Sequence, residues 1–241
     1  MRILFLGTRG YIKSATRLHK RHTSTLFSYK DTTILFDRGI DWLGMPFKKN
    51  IDAIFITHAH PDHAWGLQEG APCPVYASQV SWDIMEKYPI TPKQRHVAVL
   101  GKKIIVGSIT VEPFFVEHSI RCPALGYRIT AGSTIIFYSG DIVSIPQHER
   151  ALRGVQLYIG DGASLVRPII RKRNGVLFGH AAIATQLTWC KKAGIPRAIF
   201  THCGSQIVEA DGRTIAAKVK ALGKARGVNA SVAHDGMELV L

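Results

Sequence analysis

The chain has 241 residues, of which 46 % are apolar, so it is long enough to bury a sizeable core. Its 31 Lys and Arg outnumber its 17 Asp and Glu, a formal net charge of +14. A field of this sign attracts phosphate esters or nucleic acid, although a solvated basic surface explains it equally well. Without a membrane-length apolar run, a signal peptide or a disulfide framework, the chain is predicted to be globular and cytoplasmic, with no membrane partner.

The first part of the chain predicts strands that are separated by one basic loop. In chain order these are a strand at 3–7, a loop at 11–22 with a basic cluster at 13–22, a hairpin of strands 24–29 and 32–37, a strand at 51–57 and a short helix at 62–68. The run at 51–57 is continuously apolar, which is typical of a strand that is buried on both faces.

The rest of the sequence predicts further strands, and its predicted helices lie late in the chain. Strands are expected at 74–76, 104–106, 110–117, 125–130, 134–139, 197–201, 230–233 and 237–241, and helices at 182–193 and 214–226. Because no linker interrupts the pattern, we expect one domain over residues 1–241 that is built on two sheets.

A cluster of histidines directly follows the buried strand 51–57. It reads His58-Ala59-His60-Pro61-Asp62-His63. Neutral imidazole is the commonest protein ligand of zinc, and a carboxylate suits a harder divalent ion. His58 and His60 can point at one metal, while Asp62 and His63 can face a second. The alternative is a His-rich surface turn without a metal.

Three further candidate ligands each end an apolar run: His118, Asp141 and His202. A single histidine or aspartate at a strand end is usually structural. Three of them downstream of four clustered ligands indicate one metal centre at an edge where strand ends meet.

The order of these motifs resembles that of the metallo-β-lactamase-fold hydrolases, and segments 5–8, 35–37 and 234–237 are also similar to that family. The resemblance covers the chain and implies an α/β (α+β) fold, a four-layer αββα sandwich of two mixed β-sheets. It implies two divalent metal ions, zinc above all, with manganese or iron as the alternatives. One would be held by His58, His60 and His118, the other by Asp62, His63 and His202, with Asp141 as the bridge.

Within this superfamily the chain resembles the branch of RNase Z and the short cyclic-phosphate phosphodiesterases. The resemblance rests on Gly179-His180, a following helix, and the segment 194–202 that ends in His202. It implies that His180 contacts the scissile phosphate and donates a proton. Asp161 would orient His180, the alternative being a residue of a simple Gly-Asp-Gly turn. Only 22 residues separate His118 from Asp141, too few for the tRNA-gripping arm of RNase Z.

We therefore predict a phosphodiesterase that cleaves RNA, DNA or a cyclic-phosphate diester by metal-activated hydroxide, with His180 as the acid. The predicted catalytic residues are Asp62, His180 and Asp161, and the predicted substrate-binding residues are Arg167, Arg171 and Arg173. The alternative for the arginines is a solvated basic loop. Aromatic residues do not alternate with the basic ones, so no base-stacking platform is predicted. The branch contains many homodimers, which makes a homodimer one expected arrangement.

Three other functions fit parts of the same pattern. The first is hydrolysis of a lactone, thioester or β-lactam on the same metals. The second is nucleic-acid binding by a protein with a vestigial site, against which the intact ligand set argues. The third is a diiron oxidoreductase, which the absence of a flavin module in the sequence disfavours.

Overall fold

The structure is a computed structural model that describes residues 1–47 and 50–241. The described part of the first half contains β1 (Arg2–Gly7), β2 (Ser24–Tyr29), β3 (Thr32–Phe36), β4 (Ala53–Phe55), α1 (Pro61–Ala64), β5 (Val75–Ala77), α2 (Gln79–Ile84) and β6 (Arg95–Val97). The second half contains β7 (Ile104–Val106), β8 (Ile109–Val116), β9 (Ala124–Ala131), β10 (Thr134–Tyr138), α3 (His148–Leu152), β11 (Leu157–Asp161), β12 (Ile169–Arg173), β13 (Val176–His180), α4 (Ile183–Lys192), β14 (Arg197–Thr201), α5 (Ser205–Val208), α6 (Gly212–Lys224), β15 (Asn229–Val232) and β16 (Glu238–Val240).

Two seven-stranded mixed sheets organise the molecule. One has the order β16-β1-β2-β3-β4-β5-β6 and the other the order β15-β14-β11-β10-β9-β8-β7. In each sheet the strands on one side pair antiparallel and those on the other side pair parallel. In the first sheet β1, β2 and β3 are antiparallel to one another, whereas β3, β4, β5 and β6 are parallel. The predicted α/β class with two mixed sheets is confirmed.

Aromatic rings fill the space between the two sheets. The Phe36 ring lies at its centre, with centroids 5.1 Å from Phe27, 5.2 Å from Phe55, 5.2 Å from Tyr127 and 5.1 Å from Tyr138. All five side chains are buried. Edge-on and offset ring pairs at this spacing add to the hydrophobic stabilisation from burial. This layer therefore fixes the two sheets against each other.

Helices cover the outer faces of the sandwich. On α4 the buried residues Ile183, Leu187 and Cys190 recur every three or four positions, which is the spacing of one helix face. The longest described helix, α6, is capped by the preceding residue Asp211, whose side chain accepts a hydrogen bond from the Thr214 amide. None of the helices in the described residues combines the length and the apolar composition that a bilayer crossing requires.

The predicted strands and helices are found with small differences at their ends, but several elements were missed. The sequence interpretation overlooked α2, α3, α5, β6, β11, β12 and β13. The segment that carries Arg171 and Arg173 is a β-hairpin rather than the alternative of a basic loop. Its turn is Asn174-Gly175, with φ of 49° and 83°, as the two central residues of a tight hairpin require.

The substitution Phe36→Ala should lower the free energy of unfolding by about 3–5 kcal/mol, because it removes a buried ring that four other rings surround. Phe115→Ala is the matched control. Its ring is 41 % exposed, so a loss of no more than about 1 kcal/mol is expected. Chemical denaturation of both variants measures the two values, and equal losses would contradict the proposed central place of Phe36.

Candidate metal centre

Strand ends from both sheets meet at one edge of the sandwich and carry the seven predicted ligands. One sheet supplies the residues after β4, and the other supplies the residues that follow β8, β10 and β14. These seven residues form two groups whose ligand atoms all lie within 4.8 Å of one another, and a third such group joins Asp141 and His202 to Asp161 and His180. The first group is His58, His60 and His118, and the second is Asp62, His63, Asp141 and His202.

Asp141 belongs to the second group and also reaches the first, because each of its carboxylate oxygens faces one of the two groups. Oδ2 is 3.5 Å from His118 Nε2 and 3.8 Å from His58 Nε2. Oδ1 is 3.1 Å from His63 Nε2 and 3.3 Å from His202 Nδ1. A carboxylate in this position suits the bridge between two cations, whose mutual repulsion it reduces.

The buried atoms of this cluster fit a bound metal ion. His63 Nε2 and Asp141 Oδ1 are fully buried and lie 3.1 Å apart, but within the described part of the chain neither makes a hydrogen bond of good geometry. A buried polar atom without a partner costs about 1–3 kcal/mol. Imidazole nitrogen and carboxylate oxygen are ligand types of divalent zinc and manganese, so a metal at this place would relieve that cost.

Two of the imidazoles are fixed through the ring nitrogen that faces away from the cluster. His63 Nδ1 donates to Asp37 Oδ2 at 2.8 Å, and His118 Nδ1 donates to the Gly179 carbonyl at 2.9 Å. Such bonds set the tautomer and the orientation of a metal-binding histidine, and leave Nε2 available. The sequence interpretation missed these supporting roles.

Asp37 is a fully buried residue whose role the sequence interpretation missed. It directly follows β3, its backbone φ is +58°, and its carboxylate accepts hydrogen bonds from the Thr57 amide and hydroxyl. Burial raises the pKa of Asp37, while His63 and Thr57 oppose that rise. The rule that selected Asp141, an aspartate at the end of an apolar strand, would also have selected Asp37.

Asp161 joins His180 to the metal-ligand cluster. Its Oδ2 accepts a hydrogen bond from His180 Nδ1 at 2.8 Å, and its Oδ1 lies 3.2 Å from His202 Nδ1. Asp161 is the last residue of β11, so the alternative of a simple Gly-Asp-Gly turn is wrong. The amides of Ile142 and Ala163 also donate to its carboxylate. Asp161 is therefore fixed in place from several directions.

Gln186 on α4, which the sequence interpretation also missed, holds the backbone of Asp161. It accepts from the Asp161 amide at 3.0 Å and donates to the Asp161 carbonyl at 2.7 Å. The side chain is fully buried. A buried amide on a mostly apolar helix face is the signal that could have found it, because such a group requires polar partners.

Gly179 positions His180 at the end of β13. Its φ is +117°, and a Cβ at this position would lie 1.9 Å from the Ile169 carbonyl oxygen. Only glycine fits so close to a neighbouring strand in this conformation. The Gly179 amide also donates to the His118 carbonyl at 2.8 Å, which ties the hairpin to the metal-ligand cluster.

Charges within the cluster move the histidine pKa values in opposite directions. Burial lowers the pKa of His58 well below its ordinary value and that of His118 to about 4. Burial also lowers the pKa of His202, but Asp141, Asp161 and Asp62 outweigh it and raise the value to about 10. A centre in which acids and imidazoles share one buried space is suited to hold cations.

The metal-ligand cluster opens into a cleft of about 510 Å³. The cleft is lined by Gly10, Tyr11, Ile12, His60, Pro61, Asp62, His118, Asp141, Ala163, Ile169, His180, His202, Gly204 and Ser205. The three predicted arginines are absent from the described lining. Arg167 is exposed ahead of β12, and Arg171 and Arg173 are exposed on β12. The structure thus brings His180 and Asp161 together with the ligand candidates but leaves the arginines outside the cleft.

Comparison with known proteins identifies the family. Residues 32–203 match the family described as the beta-lactamase superfamily domain, and the chain belongs to that family. The predicted family is thereby confirmed. Together with the His and Asp clusters, this membership supports the predicted class of metal-dependent hydrolase.

Curated relatives match only part of the chain. Exodeoxyribonuclease WalJ of Streptococcus pneumoniae is 35 % identical over 82 residues, which are 31 % of this chain and 30 % of WalJ. Ribonuclease J of Sinorhizobium meliloti is 36 % identical over 103 residues, which are 39 % of this chain and 18 % of that protein. The chain therefore matches less than a third of the length of either relative.

Solved structures match the chain over almost its full length. The metallo-beta-lactamase fold protein YhfI of Bacillus subtilis is 16 % identical with a TM-score of 0.76, covering 99 % of this chain and 98 % of that one. The short form of human tRNase Z is 18 % identical with a TM-score of 0.67, covering 100 % and 99 %. At these identities the likeness concerns the fold, which is the predicted metallo-β-lactamase fold.

Zinc should raise the melting temperature of the metal-stripped protein, because an ion that binds only the folded state stabilises it. At a free zinc concentration of about a thousand times the Kd, this stabilisation is about 4 kcal/mol. His60→Ala should lose most of this increase. His148→Ala, in an exposed histidine of α3, is the control and should keep it. Differential scanning calorimetry with and without zinc measures the shift. An unchanged melting temperature in the unsubstituted protein would contradict a metal centre.

Proposed function

We propose that the protein is a phosphodiesterase that acts on a nucleic-acid or cyclic-phosphate diester. The observation that carries this proposal is the His180–Asp161 pair beside the metal-ligand cluster. The His180 side chain is 21 % exposed and lines the cleft, whereas Asp161 is fully buried behind it. An imidazole held by a buried carboxylate suits proton transfer to a leaving group at a charged phosphate.

We propose the metal ligands as the sequence predicts them. His58, His60 and His118 would hold one divalent ion, Asp62, His63 and His202 would hold a second, and Asp141 would be shared by both. Zinc is the proposed metal. When bound, two such ions activate water and stabilise the charge of a phosphoryl group. Asp62 lies 2.9 Å from His202 Nε2 and 3.4 Å from His63 Nε2, consistent with a shared metal.

His180 is proposed as the proton donor to the leaving oxygen. Burial lowers its pKa, but Asp161 outweighs this effect and raises the pKa above the ordinary value. A protonated imidazole also stabilises negative charge on the phosphoryl oxygens. Asp161 acts through His180 as a positioning residue, because its carboxylate fixes the Nδ1 side of the ring and leaves Nε2 available to the substrate.

The hairpin of β12 and β13 extends from the cleft and carries two of the predicted arginines on one face. Ile169 pairs directly with His180, and it shares a strand face with Arg171 and Arg173 because side chains alternate. Ile169 lines the cleft. We propose that Arg171 and Arg173, together with Arg167 in the preceding segment, contact phosphates of a nucleic acid that extends beyond the cleft.

The relatives named as nucleases support a nucleic-acid substrate, RNA or DNA. The net charge of +14 favours the same class of partner. The cytoplasmic location and the homodimer stay predictions.

His180→Ala should reduce kcat for diester cleavage by about 10²- to 10⁴-fold, the usual contribution of a general acid. Its metal content should stay unchanged, because the proposed ligands are intact. His148→Ala is the control. The assay offers bis(p-nitrophenyl) phosphate, a 2′,3′-cyclic nucleotide and a lactone side by side. Lactone cleavage that survives His180→Ala, with both diesters untouched, would overturn the phosphodiesterase proposal and favour a lactonase.

Arg171→Ala should weaken single-stranded nucleic-acid binding and reduce the slope of log K against log salt by about 0.7, the value for one lost phosphate contact. Lys172→Ala is the matched control. It removes the same charge from the neighbouring position of β12, whose side chain lies on the opposite face. Fluorescence anisotropy over a salt series measures both slopes. Equal reductions would indicate a diffuse electrostatic effect and contradict the proposed contact.

A further inference from the structure

Tyr11 is an exposed aromatic residue at the cleft that the proposed chemistry does not use. Its side chain is 67 % exposed, and it lines the cleft together with His180 and the proposed metal ligands. Ile169 of the hairpin, 46 % exposed, is a second large apolar side chain of the lining. Large exposed apolar side chains at a polar cleft indicate a contact with an apolar part of the ligand.

The backbone on the N-terminal side of Tyr11 is packed against a proposed metal ligand. A Cβ on Gly10 would lie 3.0 Å from Cε1 and 3.1 Å from Nε2 of His202, so the glycine backbone rests against that imidazole. The Gly10 amide donates to the Cys203 carbonyl at 3.0 Å. Tyr11 is therefore one residue away from a direct contact with the metal-ligand cluster.

The buried side chain of Arg9 holds the loop that carries Tyr11. Its guanidinium binds the Asp41 carboxylate at 2.6 Å and donates to the carbonyls of Lys20 and Ile12. Arg9 is only 7 % exposed. A buried guanidinium whose donors hold two points of one loop makes the backbone on both sides of Tyr11 rigid.

Asp235 joins the two ends of this loop. Its carboxylate accepts hydrogen bonds from the amide and hydroxyl of Thr8 and from the amides of Lys20 and Arg21, at distances from 2.7 to 2.9 Å. The Tyr11 ring itself lies 6.1 Å, centroid to centroid, from the ring of His22. The loop thus presents the exposed ring on a fixed support.

We propose that Tyr11 is a stacking platform for the nucleobase next to the scissile phosphate. This inference rests on the proposed phosphodiesterase function and narrows its substrate to a nucleotide with an unpaired base. Stacking on one aromatic ring tolerates every base, because each base has a π face. The sequence predicts no such platform, since Tyr11 stands at the edge of the basic cluster. Only the fold brings its ring to the cleft.

The experiment compares two ligands that differ only in the base. Adenosine 5′-monophosphate and ribose 5-phosphate are titrated into the zinc-loaded full chain by calorimetry. Tyr11→Ala should raise the Kd of the nucleotide about 5- to 100-fold, the usual range for a lost stacking contact. The Kd of ribose 5-phosphate should stay within about twofold. Tyr11→Phe should bind as the unsubstituted protein does, and Phe115→Ala is the aromatic control.

A spectroscopic signature separates stacking from a structural role. The fluorescence of 1,N⁶-ethenoadenosine monophosphate is quenched when its base stacks, so the unsubstituted protein and Tyr11→Phe should quench it and Tyr11→Ala should not. Equal weakening of both ligands by Tyr11→Ala, unchanged nucleotide binding, or failure of the unsubstituted protein to prefer the nucleotide would each overturn the proposal.

The two proposals fail separately in these measurements, because ligand binding needs no turnover. Diester cleavage by a protein that does not prefer the nucleotide would leave the proposed function intact and remove the platform. Tyr11-dependent nucleotide binding without diester cleavage would support the platform and remove the proposed reaction.

Discussion

The burial of carboxylates and imidazoles in one space between two sheets is the constraint on which the rest of the structure depends. Taking a charged group out of water is costly unless an opposite charge or a metal compensates it. Asp141, at 2 % exposure, meets this condition because imidazoles from both sheets surround it. The strands that carry these groups must therefore end at the same edge of the sandwich. The aromatic layer around Phe36 holds the two sheets in the positions that bring these strand ends together.

A second layer of buried polar groups converts this cluster into a rigid site. Asp37, the Gly179 carbonyl and Asp161 each bind a histidine through its outer nitrogen. Gln186 in turn holds Asp161 through its backbone. Because these links are short and mostly shielded from solvent, the ring orientations are set before any ligand binds, which is the condition for electrostatic catalysis in a preorganised site.

The walls of the cleft come from segments outside the two sheets. The hairpin of β12 and β13 carries His180 at its base and a face of exposed arginines beyond it, while the loop after β1 carries Tyr11. A metal centre of this kind is not specific for one ester. The side chains that line the cleft around it therefore select the substrate. A basic face and an aromatic ring are together suited to a chain of phosphates and bases.

The sequence by itself was enough to propose His58, His60, Asp62 and His63 as metal ligands, because their spacing along a few residues is local and independent of the fold. It also determined most strands through apolar periodicity. Only the tertiary structure showed which groups Asp37 and Gln186 hold, since their partners are 20 or more residues away along the chain, and only the fold brought Tyr11 to the cleft. The hairpin around Asn174-Gly175 could have been predicted from the sequence, because its turn is a local signal. Its position beside the cleft could not, because that position depends on the pairing of β12 with β13 and on the contact between Gly179 and His118.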